Sequence, residues 1–302
     1  MRHGSARSSW ILVCGLLVAG LIGCQANPGF DFDVTADMRK FTPPEYPGPD
    51  YFAGACAALD DVGAGAFMVV VGDLDPPRRV RATLDATLGE DYVWYPVVGN
   101  HELDRPEYMP YLREVNAGGK TLPGVVRSGP PGGVETCYSF DHGNAHFVIM
   151  NQYYDGQSDT ALDGDVSDAL YEWLATDLAA TDREFVFVFG HEPSVAVPDL
   201  TSGRVRHRGD SLDQYPERNH RFWSLLREHG VVAYICGHTH NASVAWINEV
   251  WQIDAGHARG VGDPGAPSTF LKFHVRPGHV SCDVYRRADD GVYRHTLTQR
   301  LR

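Results

Sequence analysis

The chain has few basic residues, few cysteines and no comfortable membrane span near its start, and each shortage excludes something. The 26 Lys and Arg stand against 39 Asp and Glu, a formal net charge of −13. Nucleic-acid backbones are bound by Lys and Arg that displace counterions, so this balance argues against a nucleic-acid partner. Six cysteines in 302 residues are too few for a disulfide scaffold. The apolar run from Trp10 to Ile22 is shorter than the roughly twenty residues a membrane helix needs. Hydrophobic residues are not lacking. At 43% hydrophobic and 22% charged the chain can bury a core and is not mainly disordered. Its length suits one large α/β or double-sheet domain.

Arg2, His3 and Arg7 precede that apolar run without an acidic residue, the pattern of a signal peptide. The run ends in Leu21-Ile22-Gly23-Cys24, which resembles a bacterial lipoprotein processing site. The expectation is therefore a signal peptide over 1–23, acylation of Cys24, a short tether over 24–29 and a single domain over 30–302. Several acyl chains on Cys24 would hold the protein stably at a bacterial membrane, extracytoplasmic. Removal of Arg2 and Arg7 makes the remainder still more acidic. Cys56, Cys137, Cys236 and Cys282 then remain, with three possible pairings. Cys236 lies in an apolar run where a buried thiol is as good a reading as a bridge.

Four apolar runs end alike. Phe67–Val71 meets Gly72-Asp73, Val93–Val98 meets Gly99-Asn100-His101-Glu102, Phe185–Phe189 meets Gly190-His191-Glu192-Pro193, and Val231–Cys236 meets Gly237-His238-Thr239-His240. Each reads as a buried strand stopping at glycine. A fifth, alternating run over Phe30, Phe32 and Val34 ends at Ala36-Asp37-Met38-Arg39 without the glycine. Helical spacing marks 165–181, capped by Asp165 or Ser167, and 216–229, stopped by Gly230; 50–61 and 77–88 read as two further helices. Strands alternating with helices imply an α/β layered fold. Two hairpins, 138–151 turning at His142-Gly143 and 270–286 turning at Pro277-Gly278, suggest a second sheet facing the first. Residues 117–133 and 197–219 read as surface loops.

In such sheets, ligands gather beyond the carboxyl ends of the strands. There this chain offers Asp37, Asp73, Asn100, His101, His191, His238 and His240, a carboxylate, amide and imidazole set suited to Mn, Fe or Zn. No cysteine is among them, which argues against a structural zinc. The ordered series Gly-Asp, Gly-Asn-His-Glu, Gly-His-x-Pro, Gly-His-x-His resembles the calcineurin-like metallophosphoesterase family, in particular its secreted branch related to purple acid phosphatases. The flanking Tyr138–Phe147 and Trp173-Leu174 are similar too, so the resemblance spans roughly 30–286. It implies a four-layer sandwich, two mixed β-sheets flanked by helices, that hydrolyses small phosphoester substrates with two metal ions. By the same resemblance Asp73 would bridge the ions, with Asn100, His191 and His238 at one and Asp37 and His240 at the other. His101 would protonate the leaving group or hold the phosphate.

The family usually opens with Asp-x-His, where this chain has Asp37-Met38-Arg39. A guanidinium has no lone pair, so Arg39 cannot be a ligand. Either one ion is labile, or the site is mononuclear and Arg39 grips the phosphate; the first is the preferred expectation. Pro76 stands where purple acid phosphatases carry a metal-binding tyrosine, so no tyrosinate ligand is expected. Asp75 is either a hydrogen-bond acceptor beside the site or a turn residue. His207, Arg208 and His257 lie in loops that could reach the site. Monoester and diester substrates remain open, and a non-catalytic ligand-binding lipoprotein is the alternative function.

Overall fold

A computed structural model describes residues 1, 29–38 and 48–302. Nearly all of the expected signal peptide and tether, with Cys24, and also Arg39 lie outside the described residues. The chain runs β1 (Phe30–Thr35), α1 (Phe52–Asp61), β2 (Phe67–Val71), α2 (Pro77–Leu88), β3 (Val93–Val97), α3 (Tyr108–Val115), β4 (Val125–Ser128), β5 (Tyr138–His142) and β6 (Ala145–Ile149). It continues through α4 (Asp168–Ala180), β7 (Phe185–Phe189), α5 (Pro216–Glu228), β8 (Ala233–Cys236), β9 (Ala242–Ile247), β10 (Val250–Ala255), β11 (Thr269–Arg276), β12 (His279–Arg287) and β13 (Tyr293–Arg300).

Two mixed sheets form, in the orders β13-β12-β11-β1-β2-β3 and β4-β5-β6-β7-β8-β10-β9. Here the hairpin expectation needs correcting. The two hairpins do not build a second sheet together: β11–β12 extends the first sheet beside β1, and β5–β6 extends the second beside β7. The register of β1 on β11, Phe32 opposite Phe273, is a pairing between chain ends that no local pattern encodes.

Period-two alternation then sorts side chains into layers. Val69 and Val71 of β2 and Phe187 and Phe189 of β7 point between the sheets, where Phe32, Phe67, Phe147 and Phe273 also pack. Met68 and Val70 face α1 and α2 on one outer side. Val186 and Val188 face α4 and α5 on the other. The result is the four-layer sandwich. Local chemistry fixes the helix starts: the Ser167 hydroxyl accepts the Leu170 N–H at 3.3 Å to cap α4, and Pro77 and Pro216 open α2 and α5 where no N–H is needed. Pro96 is tolerated in β3 because, among the described residues, that strand pairs only with β2, at the sheet edge. Cys56, Cys137, Cys236 and Cys282 are all buried and unpaired, so none of the three pairings forms.

Candidate metal centre

The carboxyl ends of β1, β2 and β3 in one sheet meet those of β7 and β8 in the other, and the residues that follow converge. Their glycines leave the room. A Cβ on Gly72, whose φ is +80°, would sit 2.2 Å from His191 Nδ1, and one on Gly99 would sit 2.5 Å from Asp73 Oδ1. Among described residues other than glycine, seven have positive φ: Asp37, Asp73, His207, His238, His240, Asn248 and Glu249. Five of these line this site. Left-handed backbone costs about 1–2 kcal/mol per residue, and such strain gathers where side chains must be aimed.

Two ligand groups share Asp73. On one side Asn100 Oδ1 lies 3.2 Å from both His191 Nε2 and His238 Nδ1, and His191 Nε2 lies 3.3 Å from Asp73 Oδ1. His191 Nδ1 donates to the Val71 carbonyl at 2.8 Å, which directs Nε2 into the site. On the other side, ligand atoms of Asp37, Asp73 and His240 all lie within 4.8 Å of one another. Asp37 Oδ2 accepts the His238 N–H at 2.8 Å, while its Oδ1 is buried with no hydrogen-bond partner among the described residues. A buried carboxylate oxygen left bare is costly unless a cation answers it. The residues present therefore fit a metal ion at Asp37, Asp73 and His240, with Asn100, His191 and His238 gathered on the other side of Asp73.

The electrostatics agree. Burial pushes the Asp37 carboxyl well above its usual range; His191 opposes this, and the neighbouring Asp73 and Asp254 charges add to it. Burial pulls His191 down, but the Asp73 charge and hydrogen bond, with Asp37, outweigh it and raise His191 to about 10. An ion at Nε2 would take the place of that proton. Burial lowers His240 to about 4, against the pull of Asp263. Behind the ligands, buried Glu102 accepts the N–H groups of Gly99 (2.6 Å), Leu74 (2.7 Å) and Asp73 (2.9 Å), tying the loops after β2 and β3 together. His101 Nδ1 donates to Asp104 Oδ2 at 2.6 Å, and its Nε2 faces Asp73 Oδ2 at 3.7 Å.

All seven described candidates, Asp37, Asp73, Asn100, His101, His191, His238 and His240, thus meet at one place. His207 joins them, its ring centroid 4.0 Å from that of His238. His257 does not: its Nε2 donates to the Ala266 carbonyl and its Nδ1 accepts the Arg259 N–H, so both nitrogens serve the fold. Asp75 accepts the Tyr108 hydroxyl at 2.8 Å, a brace onto α3. The sequence reading missed Asp263, whose Oδ2 lies 2.7 Å from His240 Nδ1. It sits in Gly-Asp-Pro-Gly, which reads only as a turn.

A four-layer sandwich with carboxylate, amide and imidazole donors collected at one end of both sheets is a metallophosphoesterase architecture. The family model for calcineurin-like phosphoesterases matches residues 30–242, and the chain belongs to that family. Among solved structures, purple acid phosphatase PPD1 from yellow lupin (Lupinus luteus) seeds is similar with a TM-score of 0.54 at 14% identity, over 90% of this chain and 54% of that one. PhoD is similar with a TM-score of 0.59 at 12% identity, over 91% of this chain and 72% of that one. GAP50, the anchor in the inner membrane complex of Plasmodium, gives 0.53 at 13% identity, over 90% and 88%. These likenesses are of fold; the chain spans about half the length of the lupin enzyme. No curated protein matches the sequence.

Proposed function

We propose that this chain hydrolyses small phosphoesters at a two-ion centre held by Asp37, Asp73, Asn100, His191, His238 and His240. The observation that carries the reading is the convergence of two donor groups on one shared carboxylate, Asp73, beside the bare Asp37 Oδ1. Two cations there would neutralise an anionic phosphoryl group and acidify water at neutral pH. The protein's own part is orientation and proton delivery. His191 is fixed by Val71, Asp37 by the His238 N–H, and the Asp73 loop by Glu102. With Nδ1–H tied to Asp104, His101 turns Nε2 towards the same space; as imidazolium it would give the Nε2 proton to a departing alkoxide and be left neutral with Nδ1–H still on Asp104. On a chain this acidic, only local positive charge makes an anionic ester approachable. Arg39 would add to it by gripping the phosphate.

The domain over 30–302 would be extracytoplasmic, tethered to a bacterial membrane through acylated Cys24. Detergent partitioning of wild type against Cys24→Ala tests the anchor; equal partitioning into water would remove it. Activity is tested with a chromogenic phosphomonoester and a phosphodiester under Mn, Fe and Zn in turn, with Asp73→Asn as control. Wild type faster than control on either ester supports the reading. Tight phosphate binding without turnover would favour a ligand-binding lipoprotein instead, the outcome that loss of the Asp-x-His histidine at position 39 would explain.

A further inference from the structure

His240 stands between two carboxylates, and a neutral imidazole has one N–H to give. If it goes to Asp37, Nε2 becomes a donor and is useless to a cation; if it goes to Asp263, Nε2 keeps its lone pair on the Asp37 side. The distances favour Asp263: Nδ1 to Asp263 Oδ2 is 2.7 Å, Nε2 to Asp37 Oδ1 is 3.6 Å. Asp263 is itself locked. Arg204 meets it with both terminal nitrogens, at 2.9 and 3.3 Å, and the Gly265 N–H donates to its Oδ1 at 2.8 Å.

Arg204 is held as firmly. Its Nε donates to Asn241 Oδ1 at 2.8 Å and one of its terminal nitrogens to the His240 carbonyl at 3.3 Å, while Asn241 Nδ2 returns a bond to the Arg204 carbonyl at 3.0 Å. The segment carrying Arg204 closes on Asp199, whose carboxylate takes the N–H groups of Thr201, Ser202 and Ala242 and a buried Arg286 from β12. A Cβ on Gly265 would lie 1.7 Å from the Arg204 guanidinium, so that turn is shaped around it.

We propose that Asp263, clamped by Arg204, is the positioning residue of this centre: it fixes the Nδ1–H tautomer of His240 and so holds Nε2 ready for the ion shared with Asp37 and Asp73. The inference rests on the two-ion reading above. It has most weight in this chain because that ion's group contains a single described imidazole, the family's second one being replaced by Arg39.

The test uses two readouts. In metal-free, ¹⁵N-labelled protein, with the His240 signals identified by His240→Gln, wild type should show Nδ1–H, and Asp263→Ala should shift His240 towards Nε2–H. In Mn²⁺ titrations, Asp263→Ala should weaken the weaker of two sites about 10–100-fold and leave the tighter one within about twofold. Asp263→Asn, which keeps an acceptor, should restore the tautomer and part of the affinity. Nε2–H in the wild type overturns the proposal without any variant having to fold, as does a folded Asp263→Ala with unchanged tautomer and unchanged Mn²⁺ affinities. A wild type that takes up no Mn²⁺ overturns the two-ion reading, while the metal-free tautomer still decides the role of Asp263.

Discussion

Two clusters of histidine and carboxylate lie at opposite ends of the second sheet, built from the same residue types to different effect. Near the amino end of β6, His146 Nδ1 is 2.7 Å from Asp141 Oδ1 and Nε2 is 3.0 Å from Asp177 Oδ2. The other Asp177 oxygen accepts from Arg127 and Ser139, and the other Asp141 oxygen from Arg183. Every ring nitrogen and carboxylate oxygen there has a protein partner. Beyond the carboxyl ends of β7 and β8, Asp37 keeps a bare oxygen and donors on His191 and Asn100 turn towards a common point. A closed hydrogen-bond circuit braces a fold; an open one, here still more deeply buried, leaves room for a guest.

That contrast can be broken. The largest effect should follow Asp73→Asn, with kcat/KM falling on the order of 10³-fold and Mn²⁺ uptake falling with it; an unchanged rate would remove Asp73 from the centre. His101→Asn should cost about 10²-fold in kcat while metal content, measured by mass spectrometry, stays at the wild-type level. Lost metal would make His101 a ligand rather than an acid. Gly99→Ala drives a methyl group against Asp73, and should lower stability by about 2 kcal/mol in urea melts as well as weaken metal binding.

The smallest effect on activity should come from the closed cluster: His146→Gln should keep the rate within about twofold and lower stability by about 2 kcal/mol at pH 6. Burial lowers the His146 pKa, but hydrogen bonds and charge from Asp177 and Asp141 prevail and raise it above 6.5. Its charged form therefore stabilises fully below the unfolded value, about 6.5, and that contribution is lost as pH rises through the raised folded value. The gap in melting temperature between wild type and His146→Gln should narrow as pH increases; a gap independent of pH would mean His146 acts through packing alone.

What the sequence revealed depended on how local the signal was. Strands β1, β2, β3, β7 and β8 were legible because apolar runs stop at polar, ligand-type residues, and those stops are the site itself. The β9–β10 hairpin was hidden because its turn, Asn248-Glu249, takes positive φ at both positions without the glycine that marks such turns. Helix α3 was masked by Pro110, which sits in its first turn and so breaks no bond. β13 is a largely exposed edge strand with little apolar alternation to betray it. Asp263 and Arg204 were invisible for another reason: their meaning lies in contacts with His240 across 23 and 36 positions of chain.

The ligand set is also divided by architecture. Asp37, Asp73 and Asn100 follow strands of the first sheet, and His191, His238 and His240 follow strands of the second. An ion bound to residues of both would be a removable rivet between two halves whose described thiols form no covalent cross-link. Saturating metal at a hundred times its dissociation constant would add about 2.7 kcal/mol to the resistance against unfolding. Chelation would therefore loosen the seam between the sheets as well as silence the site, so that the availability of metal would govern how long the folded molecule lasts.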